Sequence, residues 1–155
     1  MSFEFPFEYA DVEELGRLFY PMVRMELRTV SGWKPFEFLI DTGADMTTVP
    51  VSLLPLLGIN VHDGKQTKTL GVGGIMIKSW NFSLPIRLDT TTWRIQANAV
   101  ETKENGVPFL LGRKDIFESR CNLYLDSKRK VTVISLNEYL NEYFVLDRVG
   151  QGVHD

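Results

Sequence analysis

An apolar run, Phe38-Leu39-Ile40, ends abruptly in Asp41-Thr42-Gly43-Ala44-Asp45. This presents a carboxylate on a tight turn at the end of a strand. Gly43 permits a close backbone approach, and the Thr42 hydroxyl can hold the turn by hydrogen bonding. The run Thr47-Thr48-Val49-Pro50 then resumes an extended pattern. A carboxylate placed this way suits water activation when a second carboxylate shares its proton. The chain holds one such tripeptide, because Asp89-Thr90-Thr91 and Asp126-Ser127-Lys128 lack the glycine. A complete pair therefore requires a second chain. The plainer alternative for Asp41 is a turn aspartate that caps backbone at a strand end.

The elements that must position Asp41 read mainly as strands. Residues 23–30 alternate apolar and polar, as a half-buried strand does. Ser31-Gly32-Trp33-Lys34-Pro35 is a turn, and residues 36–40 form the next strand, apolar enough at its end for burial on both faces. Together they make a hairpin that delivers Asp41. Residues 51–57 fit a short helix or loop closed by Gly58. Gly71-Val72-Gly73-Gly74 is a glycine-rich hairpin tip between residues 67–70 and 75–78. Phe82, Leu84, Ile86 and Leu88 alternate with polar residues, and so do Trp93, Ile95, Ala97 and Ala99. Leu110-Leu111-Gly112 is a short buried run, and residues 113–119 suit a brief helix. Residues 123–125 and 131–134 flank a charged turn at Asp126-Ser127-Lys128-Arg129-Lys130. Residues 11–19 fit one or two helical turns, and Leu136, Tyr139, Leu140, Tyr143 and Phe144 follow helical spacing. Many short strands with turns between them imply a closed or sandwiched all-β fold.

Composition narrows the function. At 155 residues the chain is one domain by size, with 44% hydrophobic and 24% charged residues, as in an ordinary globular protein. A net charge of -3 leaves no nucleic-acid footprint. No stretch approaches the ~18 apolar residues of a membrane span, and the proline-broken start, Met1 to Pro6, is unlike a secretory signal. A cytoplasmic location is expected. Cys121 is the only cysteine, which excludes an intrachain disulfide and a thiolate metal cluster. His62 and His154 lack metal-ligand spacing, so neither a metal nor another cofactor is expected.

Three motifs now stand in order: Asp41-Thr42-Gly43-Ala44-Asp45, then Gly71-Val72-Gly73-Gly74 about thirty residues later, then Leu110-Leu111-Gly112-Arg113. Together they resemble the retropepsin family, the single-lobed aspartic proteases that work as homodimers. The resemblance covers residues 22–134. It implies an all-β, closed acid-protease barrel with one short helix and a C-terminal helical tail. Residues 22–135 would form the protease domain, with 1–21 as an N-terminal extension and 136–155 as the tail. It implies that Asp41 is the catalytic aspartate, that Thr42 braces the two active-site loops against each other, and that Gly43 forms the turn. Ala44 and Asp45 would meet substrate, with Asp45 paired to Arg113. Gly71, Val72, Gly73 and Gly74 would form a flap tip over the bound peptide. The long N-terminal lead and the longer segment after Arg113 are more similar to cellular or bacterial members than to viral ones.

Two function classes follow from this reading. One is a homodimeric aspartic endopeptidase acting on an extended peptide or protein, with the Asp41 pair taking a proton from water and polarising the carbonyl. The other is a dimeric peptide-binding or scaffold domain of the same fold that cleaves little. Apart from these two stands a third reading, a monomeric β-barrel in which the motif is chance. Solution mass separates the third from the others, because a strict monomer cannot assemble the pair.

Overall fold

The computed structural model describes residues 1–70, 74–102 and 109–137. Within them the chain is mostly β-strand. In order these are β1 (Ser2–Pro6), β2 (Glu8–Val12), β3 (Gly16–Tyr20), β4 (Met22–Thr29), β5 (Gly32–Ile40), β6 (Thr47–Pro50), β7 (Lys65–Leu70), β8 (Met76–Leu88), β9 (Thr91–Val100), β10 (Phe109–Leu111), β11 (Cys121–Asp126) and β12 (Val131–Leu136). Seven strands share one sheet in the order β4-β5-β10-β6-β9-β8-β7. That sheet curls far enough for β8 to meet β4 as well, with Glu26 opposite Arg87 and Leu27 opposite Ile86.

The alternation in the sequence sets which face is inside. Val23, Met25 and Leu27 of β4 are buried with Phe38 and Ile40 of β5. Leu84, Ile86 and Leu88 of β8 meet Ile95, Ala97 and Ala99 of β9 on the same side. The β4–β5 hairpin turns at Thr29, whose hydroxyl donates to the Gly32 carbonyl at 2.7 Å and accepts from the Ser31 N–H at 3.1 Å.

The ends depart from the helical expectation. Residues 11–19 form no helix: they belong to the antiparallel β2–β3 hairpin, in which Tyr9 faces Phe19 and Ala10 faces Leu18. Cross-strand pairing of apolar and aromatic residues outweighs the modest helix preference of Glu13, Glu14 and Leu15. β1 pairs antiparallel with β12, which also pairs with β11, giving a separate three-stranded sheet. The first and last described strands are thus neighbours, and β12 runs through Leu136. Residues 138–155, with the helical stripe expected there, lie outside the described residues.

Of the two short helical segments expected, the first agrees with the structure and the second differs. Residues 51–53 make a single 3₁₀ turn. The brief helix expected from Arg113 is interrupted: Lys114 is extended (φ -57°, ψ 127°) and Asp115 is left-handed (φ 61°, ψ 7°). The interruption has a use. The Asp115 carboxylate accepts the Gln96 N–H at 2.8 Å, and its carbonyl accepts the Trp93 indole N–H at 3.0 Å. Both bonds tie this segment to β9.

Candidate active site

Asp41 follows directly on β5, where three strands converge. β10 lies between β5 and β6, parallel to the first and antiparallel to the second. The Asp41 N–H donates to the Leu111 carbonyl at 3.0 Å, so the parallel ladder holds the residue up to its own amide. The chain then turns. The Gly43 N–H donates to Asp41 Oδ1 at 3.0 Å and the Ala44 N–H to the Asp41 carbonyl at 3.1 Å. A Cβ on Gly43 would press on Asp41 Oδ1 at 3.2 Å. The glycine therefore protects the carboxylate's position more than it protects the backbone path.

The second strap comes from the segment after β10. The Arg113 N–H donates to the Ala44 carbonyl at 3.0 Å and the Lys114 N–H to the Asp45 carbonyl at 2.8 Å. The Arg113 guanidinium donates through one nitrogen to the Thr42 carbonyl at 2.6 Å and through the other to the Asp45 carboxylate. A planar fork suits two acceptors held at a fixed angle. Both partners of this ion pair are substantially exposed, Asp45 at 85% of its side chain. Its role is therefore to fix the loop's shape more than to supply stability.

Beneath the loop lies a contact that sequence reasoning did not assign. Gly112 has extended backbone (φ -88°, ψ -174°), open to any residue. Space is what demands a glycine there: a Cβ would lie 2.4 Å from the Met46 carbonyl carbon, 2.5 Å from its oxygen and 2.8 Å from the Thr47 nitrogen. The Gly112 N–H donates to the fully buried Thr47 hydroxyl at 3.1 Å. Thr47 thus anchors the loop carrying Asp41 to the segment carrying Arg113. The signal was present as a Thr-Thr pair opening a strand, but its partner lay 65 positions away.

The loop faces outward. Asp41 and Ala44 are half-buried, while Thr42, Gly43 and Asp45 are exposed. The Thr42 hydroxyl has no hydrogen-bond partner among the described residues. A hollow of about 470 Å³, between β1 and β8, is lined by residues such as Phe3, Glu26 and Arg87 and not by this loop. Among the described residues no three of His, Cys, Asp and Glu gather as metal ligands. Burial pushes the Cys121 thiol up to about 11, which leaves it protonated and unreactive at neutral pH. Of the expected flap residues, Gly74 is described, with φ +77°. Gly71, Val72 and Gly73 lie outside the described residues, although β7 and β8 pair up to Leu70 and Met76 on either side of them.

The family model described as aspartyl protease matches residues 28–114, more than half of the chain, and spans both the Asp41 loop and Arg113. The chain belongs to the aspartyl protease family. A solved retropepsin-like aspartic protease from Rickettsia conorii is similar in fold, with a TM-score of 0.55 at 16% identity over 86% of this chain and 91% of that one. The EIAV protease, solved in complex with the inhibitor HBY-793, aligns with a TM-score of 0.46 at 19% identity over 67% of this chain and 86% of that one. The all-β class expected from the sequence is the class of this aspartyl protease fold. No helix among the described residues is long and apolar enough to cross a membrane.

Proposed function

We propose that this protein is a homodimeric aspartic endopeptidase of retropepsin type. The observation that carries the reading is the Asp41 loop itself. It is strapped to β10 and to Arg113 from one side and left open on the other, with one such loop in each chain. A two-fold axis through that open face brings Asp41 against Asp41 of a second copy, since a two-fold contact pairs each residue with itself. Two carboxyls in contact share one proton. The ionised member takes a proton from water while the protonated member polarises the scissile carbonyl. The free Thr42 hydroxyl then braces one loop against the other.

Gly43 and Ala44 form the floor of the cleft, and Asp45, held by Arg113, meets the substrate backbone. The β7–β8 hairpin, tipped by Gly71 to Gly74, closes over an extended peptide and pairs with it in strand fashion. The domain working in this way is residues 22–135, and a cytoplasmic setting suits its single buried thiol. The test is digestion of an unbiased peptide library with the wild type and with Asp41→Asn. Cleavage by the wild type and none by the variant supports the endopeptidase. A wild-type dimer that binds peptides and cleaves none would make it a binding domain.

A further inference from the structure

Among the described residues the β2–β3 hairpin pairs with no other strand. A lone two-stranded ribbon is marginal in water, yet this one carries apolar groups on both faces. On one face Phe7 stacks on Phe19 at 4.0 Å, Tyr9 lies 6.0 Å from Phe19, and the Arg17 guanidinium sits 4.3 Å from the Tyr9 ring centre. On the other, Ala10, Leu18 and Tyr20 lie together by register, beside an open hollow of about 400 Å³ lined in part by Tyr20 and Met22. Tyr9 is 40% exposed and Leu15, in the turn, 68% exposed.

The root of the ribbon is next to the candidate site. β3 passes through Pro21 into β4, and the Pro21 carbonyl accepts the N–H of Ile40, the residue before Asp41. The ribbon therefore leaves the sheet at the end where a second copy must approach to complete the Asp41 pair. Five residues at about 3.3 Å each carry it roughly 16 Å from that root.

Charge indicates what receives it. Glu8, Asp11, Glu13 and Glu14 outnumber Arg17, so the ribbon bears a net charge of -3, equal to that of the whole chain. The opposite feature lies on β7 and β8. Lys68 and Lys78 are exposed and directly opposed across the strand pair, an arrangement that costs stability on its own. Neither forms an ion pair among the described residues.

We propose that the β2–β3 hairpin is a dimer arm. It packs on a second copy of this chain, its acidic turn set against that copy's Lys68 and Lys78 beside the shared cleft. The one cleft of the dimer is then built by both copies, each supplying one Asp41 and one arm. The inference rests on the homodimeric reading above.

Sedimentation of the 155-residue chain carrying Asp41→Asn, which cannot digest itself, gives the dimer dissociation constant. Adding Glu13→Lys and Glu14→Lys to this background should weaken the dimer about tenfold or more at low salt, with the effect shrinking as salt screens it. Lys68→Glu with Lys78→Glu should do the same, and mixing the two variants should restore a tight dimer. These positions are exposed, so folding is retained and far-ultraviolet dichroism verifies it. An unchanged dissociation constant in the Glu13/Glu14 variant, or no recovery on mixing, overturns the arm. A background protein that stays monomeric at all concentrations overturns the dimeric reading itself, which keeps the two failures apart.

Discussion

Gly112→Ala tests whether the candidate site depends on the close crossing of two backbones. The new Cβ would sit 2.4 Å from the Met46 carbonyl carbon and 2.5 Å from its oxygen. Normal contact begins about 1 Å further out, and every atom in the way is backbone, with no side chain to swing aside. Relief requires the turn before β6 to separate from the end of β10. Overpacking of this kind costs about 1–3 kcal/mol. Separation also stretches the buried bond from the Gly112 N–H to Thr47, worth about 1 kcal/mol. The sum is about 2–4 kcal/mol, or a fall in Tm of roughly 4–16 °C for a chain of this size. Urea unfolding of wild type and variant at one protein concentration measures it, since a dimer's apparent stability depends on mass action. Activity should fall further than stability, because Arg113 is the next residue and its fork sets the Asp41 loop. A variant within about 0.5 kcal/mol of wild type, the scatter of ordinary surface changes, would refute this reasoning.

Other outcomes follow from the same contacts. Thr47→Val should cost about 1–3 kcal/mol by leaving the Gly112 N–H buried and unpaired, while Thr47→Ser should retain most of the stability; thermal unfolding distinguishes them. Arg113→Lys keeps the charge but cannot reach both the Thr42 carbonyl and Asp45, so kcat/KM on a cleaved peptide should fall on the order of tenfold with Tm nearly unchanged. In acid, the hydrogen bonds from Arg87 hold the Glu26 carboxyl below its ordinary 4.5. Because its folded value is depressed, the stability it contributes is present above 4.5 and is lost as pH falls through the folded value. Glu26→Gln should therefore show a flatter acid limb than wild type in urea titrations between about pH 5 and 3.

Much of this architecture can be read from side-chain alternation. β4, β9 and residues 82–88 of β8 bury every second residue, so their period alone reveals them and their inward faces. The Asp41 turn was legible because glycine, threonine and an apolar strand meet within a few residues. The Arg113–Asp45 pair was reached through the resemblance. What stayed hidden depends on partners distant in the chain. The β2–β3 hairpin looks helical in isolation because Tyr9 and Phe19 reveal nothing until they are opposed. The break in helix after Arg113 is invisible until Asp115 meets the β9 backbone at Gln96. Thr47 reads as an ordinary strand residue until Gly112 arrives above it.

The central claim is that two copies share one catalytic pair, and mixing subunits tests it most directly. Wild-type protein is titrated with Asp41→Asn under conditions of subunit exchange, and cleavage per wild-type chain is followed. If the pair needs an aspartate from each copy, mixed dimers are inactive, and an equal amount of variant should lower the rate to roughly half in a two-fold assembly that pairs copies at random. A rate per wild-type chain that stays constant however much variant is added would place the whole catalytic apparatus within a single copy and contradict the account.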